Sequence, residues 1–366
     1  MRPALLDRRS SQAGYTLIEL LVSTAIMVTV TGAIFSLMNP AQGNAQTQPE
    51  VADMQQRMRV GNETLFKELM MAGAGPYQGS VTGSLVRFFA PILPRRVGRQ
   101  SPDLPTTFKD DAITLSYIPN SYSQTTISAS MPNVSAELKV TNQSNCPVDA
   151  GNLCGFTEGM DVIIFDTSGN FDMFTITQVQ DAAAHLQHRG QDLSKPYDVG
   201  ASVTQIVSNT YYLNRTTNKL MRYNGGTDDV PLVDNVVDLK FDYFGDPNPP
   251  LAPHPQPGEA NCLYDAAGNY KNLPTLNADD GSLAILPGAM LVDGPMCGGG
   301  SNQYDADLLR IRKVRVTMRV QAADPSLRGA DTALFKHPGT SRGGHKYVPD
   351  YNISFEVSPR NLNLTR

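Results

Sequence analysis

Along the chain the apolar positions form first a solid block, then a helical stripe, then short alternating runs. The block reaches from Tyr15 to Met38 and contains a single charge, Glu19. At about 1.5 Å per residue these roughly 24 residues make a helix about 36 Å long, enough to cross a bilayer core. The polar stretch 39–49, with Pro40, Gly43 and Pro49, predicts a kink or a melted segment, because proline lacks a backbone donor and crowds the preceding turn. Helical spacing resumes at Val51, Met54, Met58, Leu65 and Leu69, with Phe66 beside them and Glu50 placed to suit the helix dipole. Gly73-Ala74-Gly75-Pro76 ends it. The stripe reads as the part of a stalk helix that packs on a sheet, in preference to a partner site.

Beyond it the pattern changes to strands. Ala112–Ile118, Asp161–Asp166 and Phe171–Val179 are short apolar or alternating runs, and Val203–Leu213 with Lys219–Tyr223 predicts a hairpin across Asn214–Asn218. Leu239, Phe241 and Tyr243 alternate with Asp238, Lys240 and Asp242. Val314, Val316, Met318 and Val320 alternate in the same way with Arg315, Thr317, Arg319 and Gln321, so each run has one core face and one wet face. Asn352–Val357 adds one more strand, and Ser358–Arg366 is left as a tail. Between the two clearest strands lies an excursion from Gly245 to about Asp307, rich in proline, which predicts a surface insertion. No repeat and no charge-shifted domain boundary is visible. The predicted class is α+β: a long N-terminal transmembrane and stalk helix packed on a mainly antiparallel β-sheet globular body, with a long disulfide-containing insertion.

Composition sharpens this picture. With 30 Gly and 26 Pro among 366 residues, the body should fold but carry many loops. The formal charge is −5, and residues 1–14 contribute three Arg and one Asp, so loss of that segment leaves −7. An acidic chain argues against a nonspecific grip on nucleic acid. The four cysteines fall in two close sets, Cys146 with Cys154 and Cys262 with Cys297. Three pairings are open. Disulfides, and hence an oxidising compartment, are preferred over zinc because no C-x-x-C occurs and His185, His188 and His254 have no ligand spacing around them. Pairing of neighbours would have the second bridge close a long loop, worth roughly 3–4 kcal/mol in the chain-entropy model.

The N-terminus carries the most specific signal. Arg2, Arg8 and Arg9 against Asp7 make a basic leader that should stay cytoplasmic, and it ends in Ala13-Gly14 before the apolar block. An ordinary signal peptide is cut after its apolar core, whereas cleavage at Gly14 would leave the helix in the product. Glu19, fifth from Tyr15, would cost about 2.5–3.5 kcal/mol at a bilayer centre and less near the interface, so it needs a partner. An amine freed at Tyr15 of an axially shifted neighbour would supply one and set the stagger between subunits.

The stretch Gly14-Tyr15-Thr16-Leu17-Ile18-Glu19-Leu20-Leu21-Val22 resembles the class III signal of type IV prepilins and type II secretion pseudopilins. The resemblance implies cleavage between Gly14 and Tyr15 by a prepilin peptidase, N-methylation of Tyr15, which stands where Phe is commoner, and a role for Glu19 in methylation and assembly. The order of hairpin, Leu232–Val236 leading into Leu239–Phe244, and then the strand Arg312–Val320 resembles PilW/GspJ-like minor pilins. The implied plan is a leader at 1–14, a transmembrane and assembly helix at 15–38, a periplasmic stalk at 39–76, and a β-rich pilin-like domain at 77–366 with its insertion at about 245–307. The implied partners are other minor and major pilins, prepilin peptidase, the inner-membrane assembly platform and the inner membrane itself. The body would face the periplasm before assembly, and the chain would join a pilus or pseudopilus after it.

Catalytic signatures are missing. There is no G-x-S-x-G, no phosphate loop and no dinucleotide fingerprint, so no enzyme activity and no cofactor is expected. His185-x-x-His188 has no matching carboxylate for a metal on a helix face. Asp265-Ala-Ala-Gly268-Asn269 and Asn277-Ala-Asp279-Asp280-Gly281 hold oxygen ligands but do not match an EF-hand, and Asx-rich turns account for them. The expected function is a minor pilin-like structural subunit acting in pilus initiation or at the tip. Its alternatives are a minor pseudopilin of type II secretion and, in another class, a surface adhesin or DNA-capture protein that uses the 245–307 excursion.

Overall fold

The computed structural model describes residues 14–75, 89–95, 110–119, 123–144, 146–147, 149, 151–167, 170–225, 228–251, 254, 258, 260, 263–271, 275–278, 282–288, 290–291, 306–341 and 347–363. Residues 1–13 of the expected leader at 1–14, with Cys262, Cys297, Asp279, Asp280 and Gly281, lie outside them. The chain divides into two compact units, one of residues 1–53 with 322–349, the other of 54–321 with 350–366.

One helix, α1 (Leu17–Met71), accounts for the apolar block and the stripe together. The expected melted stretch is replaced by continuous helix through Pro40 and Pro49. Each proline removes a single donor, and the ladder on either side bridges the gap. In the first unit, the 322–349 segment holds a short turn of helix at Pro325–Leu327, capped by Asp324, whose carboxylate accepts from the Ser326 N–H at 2.8 Å. Phe335 is buried there, with its ring 5.9 Å from that of Tyr347. The Ala323 N–H donates to Glu50 of α1 at 2.7 Å.

The second unit is built from antiparallel strands in chain order: β1 (Ile92–Pro94), β2 (Ala112–Tyr117), β3 (Gln124–Ala129), β4 (Leu138–Val140), β5 (Asp161–Phe165), β6 (Phe171–Thr175), β7 (Gln178–Gln180), β8 (His185–Gln187), β9 (Ser202–Gln205), β10 (Val207–Asn214), β11 (Lys219–Tyr223), β12 (Asp229–Asp234), β13 (Val236–Gly245), β14 (Ala284–Ile285), β15 (Ile311–Val320) and β16 (Tyr351–Val357), followed by the single turn α2 (Arg360–Asn363). They form sheets ordered β1-β2-β10-β11-β12 and β14-β13-β15-β16, and a third ordered β6-β5-β9-β3-β4-β8-β7. The alternation read in β13 and β15 becomes a direct ladder, with Leu239 opposite Met318, Phe241 opposite Val316 and Tyr243 opposite Val314. In the β10–β11 hairpin, Asn214 Oδ1 accepts from the Thr216 and Thr217 N–H groups at 3.1 Å, and Asn218 takes the left-handed φ of 52° that closes the turn. Residues left as a tail form α2, where the Asn361 amide reaches the Met70 and Ala72 carbonyls at the end of α1.

Within this unit α1 packs on the sheet through Met54, Met58, Leu65 and Leu69, all buried. Gly61 lets the helix come close: a Cβ there would stand 2.8 Å from Met318 Cε and 3.3 Å from Val233 Cγ2. Gly61→Ile is expected to destabilise the chain by about 1–3 kcal/mol through overpacking. Denaturant unfolding checks this, and an unchanged midpoint would contradict the packing.

The third sheet is inserted between β2 and β10, which pair directly with Tyr117 opposite Val207. Laid flat, its seven strands would hold β6 and β7 roughly 29 Å apart. Only Ile176 and Thr177 separate them in the chain, a link that spans about 11 Å. The sheet therefore curls until its ends meet, and the enclosed core contains Ile127, Leu138, Val162, Phe174, Leu186 and Val203. The Cys146–Cys154 disulfide, with Cα atoms 5.7 Å apart, lies in the β4–β5 connection of this barrel-like unit. A bridge over so short a loop is worth roughly 2–3 kcal/mol in the chain-entropy model.

Candidate functional site

The N-terminal segment brings together what the sequence singles out. Gly14 and Tyr15 precede the helix and are exposed, Tyr15 by 90%. Thr16 is the N-cap: the first helical bond runs from the Leu20 N–H to the Thr16 carbonyl at 3.2 Å. Glu19, at the third helical position, folds back so that one carboxylate oxygen accepts from the Thr16 N–H at 2.9 Å and from the Thr16 hydroxyl at 2.8 Å. In return, the Glu19 N–H donates to the Thr16 hydroxyl oxygen at 3.3 Å. This is a capping box, and it gives an acid in an apolar segment two donors within its own chain. The signature Thr-x-x-Glu before an apolar run is present in the sequence, and Thr16 is the residue that the reading of charge alone misses.

Thr16→Val keeps the shape and removes the hydroxyl, and is expected to loosen the first turn by about 0.5–2 kcal/mol. Faster amide exchange at Glu19 and Leu20 in micelles would report it, and an unchanged rate would contradict the cap.

From Leu17 to Leu37 the helix is long and apolar enough to cross a membrane, and the segment is exposed throughout. Leu17, Ile18, Met27, Val28, Phe35 and Leu37 are each at least 68% exposed. Such a continuous apolar surface calls for lipid or for partner helices. Four of its five hydroxyl side chains do not interrupt it, because they turn back on the helix's own backbone. Ser23 donates to the Leu20 carbonyl, Thr24 to Leu20 and Leu21, Thr29 to Ala25 and Ile26, and Ser36 to Ala33. Polar groups satisfied inside the helix add little to the cost of immersion in hydrocarbon.

The remaining candidates do not join this site. His185 is in a strand, against the helix reading of His185-x-x-His188, and its Nδ1 lies 3.0 Å from Glu137. His188 is buried with its ring nitrogens 2.6 and 2.7 Å from the Gln191 and Ala136 carbonyls. The Asp265 carboxylate is occupied by its own turn, accepting from the Ala267 and Asn269 N–H groups and the Asn269 amide. These bonds hold its carboxyl below the usual carboxylate range, the Asn269 amide first among them. Among the described residues no His, Cys, Asp and Glu group is arranged to hold a metal ion.

Comparison with protein families matches residues 9–35 to the prokaryotic N-terminal methylation motif. The segment so matched contains the exposed Gly14–Tyr15 junction, the capping box and most of the apolar helix. The chain thus carries a class III signal and is a type IV pilin-like or pseudopilin subunit. The motif implies, in general, processing by a prepilin peptidase, assembly with pilins and anchoring in the inner membrane. No curated protein and no solved structure matches the chain.

Proposed function

We propose that the chain is a minor pilin of a type IV pilus, PilW/GspJ-like, cut between Gly14 and Tyr15, N-methylated at Tyr15, and active in pilus initiation or at the tip. The observation that carries this reading is a glycine its own fold does not need. A Cβ on Gly14 would meet nothing within 4 Å, so packing does not demand the small residue, whereas a peptidase that must seat the backbone closely does. Directly after it stand an aromatic residue, a capped carboxylate and a 21-residue exposed apolar helix. After cleavage the capping box is intact, because Thr16 retains its amide N–H. Glu19 is therefore held at the helix start, where the Tyr15 ammonium of a neighbouring subunit meets it.

A large body with a deep insertion suits a subunit made in few copies, since a shaft subunit repeats at close spacing. The same N-terminus serves a minor pseudopilin of type II secretion, and the two readings part on where the assembled chain is found. Surface filaments sheared from cells and probed for this chain should contain it in a small proportion. Its absence from filaments, with a secretion defect on deletion, would replace the pilus reading by the pseudopilin one.

A further inference from the structure

We infer that β16 is a docking edge, which receives an extended segment of a different subunit as one more strand of the β14-β13-β15-β16 sheet. The inference rests on the assembly reading above for the source of that segment. Sheet edges are usually guarded by shortness, proline, bulges or inward-pointing charge, because their unpaired backbone groups recruit other chains. Among the described residues the two open sheets have four edges, and three are guarded in these ways. β1 has three residues and ends in Pro94, β14 has two residues, and β12 carries Pro231 beside an irregularity in its pairing with β11.

β16 has no such guard. Its seven residues contain no proline and pair with β15 without a register shift, from Tyr351 opposite Val320 to Val357 opposite Val314. Among the described residues, no backbone group of Tyr351–Val357 has a backbone partner outside β15. Its one charge does not protect the edge, because Arg315 at 2.6 Å and Lys313 at 2.7 Å draw Glu356 back over β15.

The two faces of the strand define what fits. Ile353 and Phe355 stand beside Met318 and Val316 on the face that α1 covers, where the Phe355 ring lies 6.5 Å from that of Phe66. The cover stops at the edge, leaving Phe66 47% and Tyr351 53% exposed. The other face presents Asn352, Ser354 and the already paired Glu356. An added strand with alternate apolar residues extends the apolar layer, and uncharged polar residues between them meet Asn352 and Ser354. Its backbone takes up the outer donors and acceptors of β16.

Direction decides against a second copy of this chain. Paired antiparallel about Ser354, β16 is complementary to itself: Ile353 meets Phe355, Tyr351 meets Val357 and Asn352 meets Glu356. The two-fold axis of such a pair stands normal to the sheet, whereas α1 lies along the sheet face, with Met54 to Leu69 buried over about 22 Å. The operation reverses α1 in one copy, and subunits anchored in one membrane keep their helices in one direction. Self-complementarity supplies a probe instead, since a free peptide has no helix to reverse.

The test uses the full chain in lipid nanodiscs and a labelled synthetic peptide of the sequence Tyr351–Val357. Two further peptides are N-methylated, one at the second, fourth and sixth residues and the other at the third and fifth. Successive amides of a strand point to opposite edges, so one set faces the protein and the other faces away. The unmodified peptide is expected to bind, one methylated form about tenfold or more weaker, the factor of about one lost hydrogen bond, and the other unchanged. Tyr351→Lys and Ile353→Lys in the protein should each weaken binding, and Tyr351→Lys, at a half-exposed position, should leave the unfolding temperature unchanged. No binding, equal weakening by both methylations, or indifference to both lysines would overturn the docking edge. In cells, a photo-crosslinking residue in place of Asn352 should give an adduct with a different chain that begins with its own N-terminal methylation motif. No adduct, an adduct of twice the chain's own mass, or one with a chain lacking that motif would overturn it as well. The peptide assay requires neither cleavage nor a filament, so its failure leaves the assembly reading standing, and a chain left uncut at Gly14 would remove that reading without touching peptide binding.

Discussion

Glu19→Val is expected to leave the chain in the membrane and remove it from filaments. The substitution takes away a carboxylate whose burial at a bilayer centre costs about 2.5–3.5 kcal/mol, and less near the interface, so insertion is unchanged or improved. It also dissolves the capping box, at about 0.5–2 kcal/mol of helix start. What is lost for assembly is larger in kind: an ammonium on the neighbouring subunit is left facing hydrocarbon without a counter-charge. Membrane fractions should therefore hold normal amounts of the variant, and sheared filaments should hold almost none.

Glu19→Gln separates the two roles, since glutamine can still close a capping box but carries no charge. Filament levels restored by Gln would move the function of Glu19 from inter-subunit pairing to capping. Normal assembly of Glu19→Val would count against both.

The second large effect is at the junction itself. Gly14→Leu should accumulate as an uncleaved precursor while the body folds as before. The two halves of that statement have separate causes. No atom lies within 4 Å of the position a Cβ would take, so the chain tolerates the side chain, whereas a peptidase that grips extended backbone next to the scissile bond does not. Immunoblots of membranes should show one band at precursor mass. Mature protein in parental amounts would mean that Gly14 is not the recognition point.

Much of the molecule is written locally and can be read that way. The apolar block declares its own length, and β13 and β15 declare their faces by alternation, because a half-buried strand needs no distant information to set its pattern. The barrel between β2 and β10 is different. No local pattern assigns its strands to a sheet of their own, and only the pairing of Tyr117 with Val207, across 90 positions, reveals that everything between them is an insertion. Continuity of α1 through Pro40 and Pro49 is likewise set by the flanking turns, which local propensity does not weigh. Thr16 was legible, since its spacing to Glu19 is a helix-start signature.

The most direct test of the account is the N-terminus of the protein recovered from membranes of a peptidase-competent host, determined by intact mass and terminal sequencing. The account predicts a chain beginning at Tyr15 and carrying one N-methyl group. A chain still beginning at Met1 under those conditions would contradict it, and would leave Leu17–Leu37 as a plain membrane anchor.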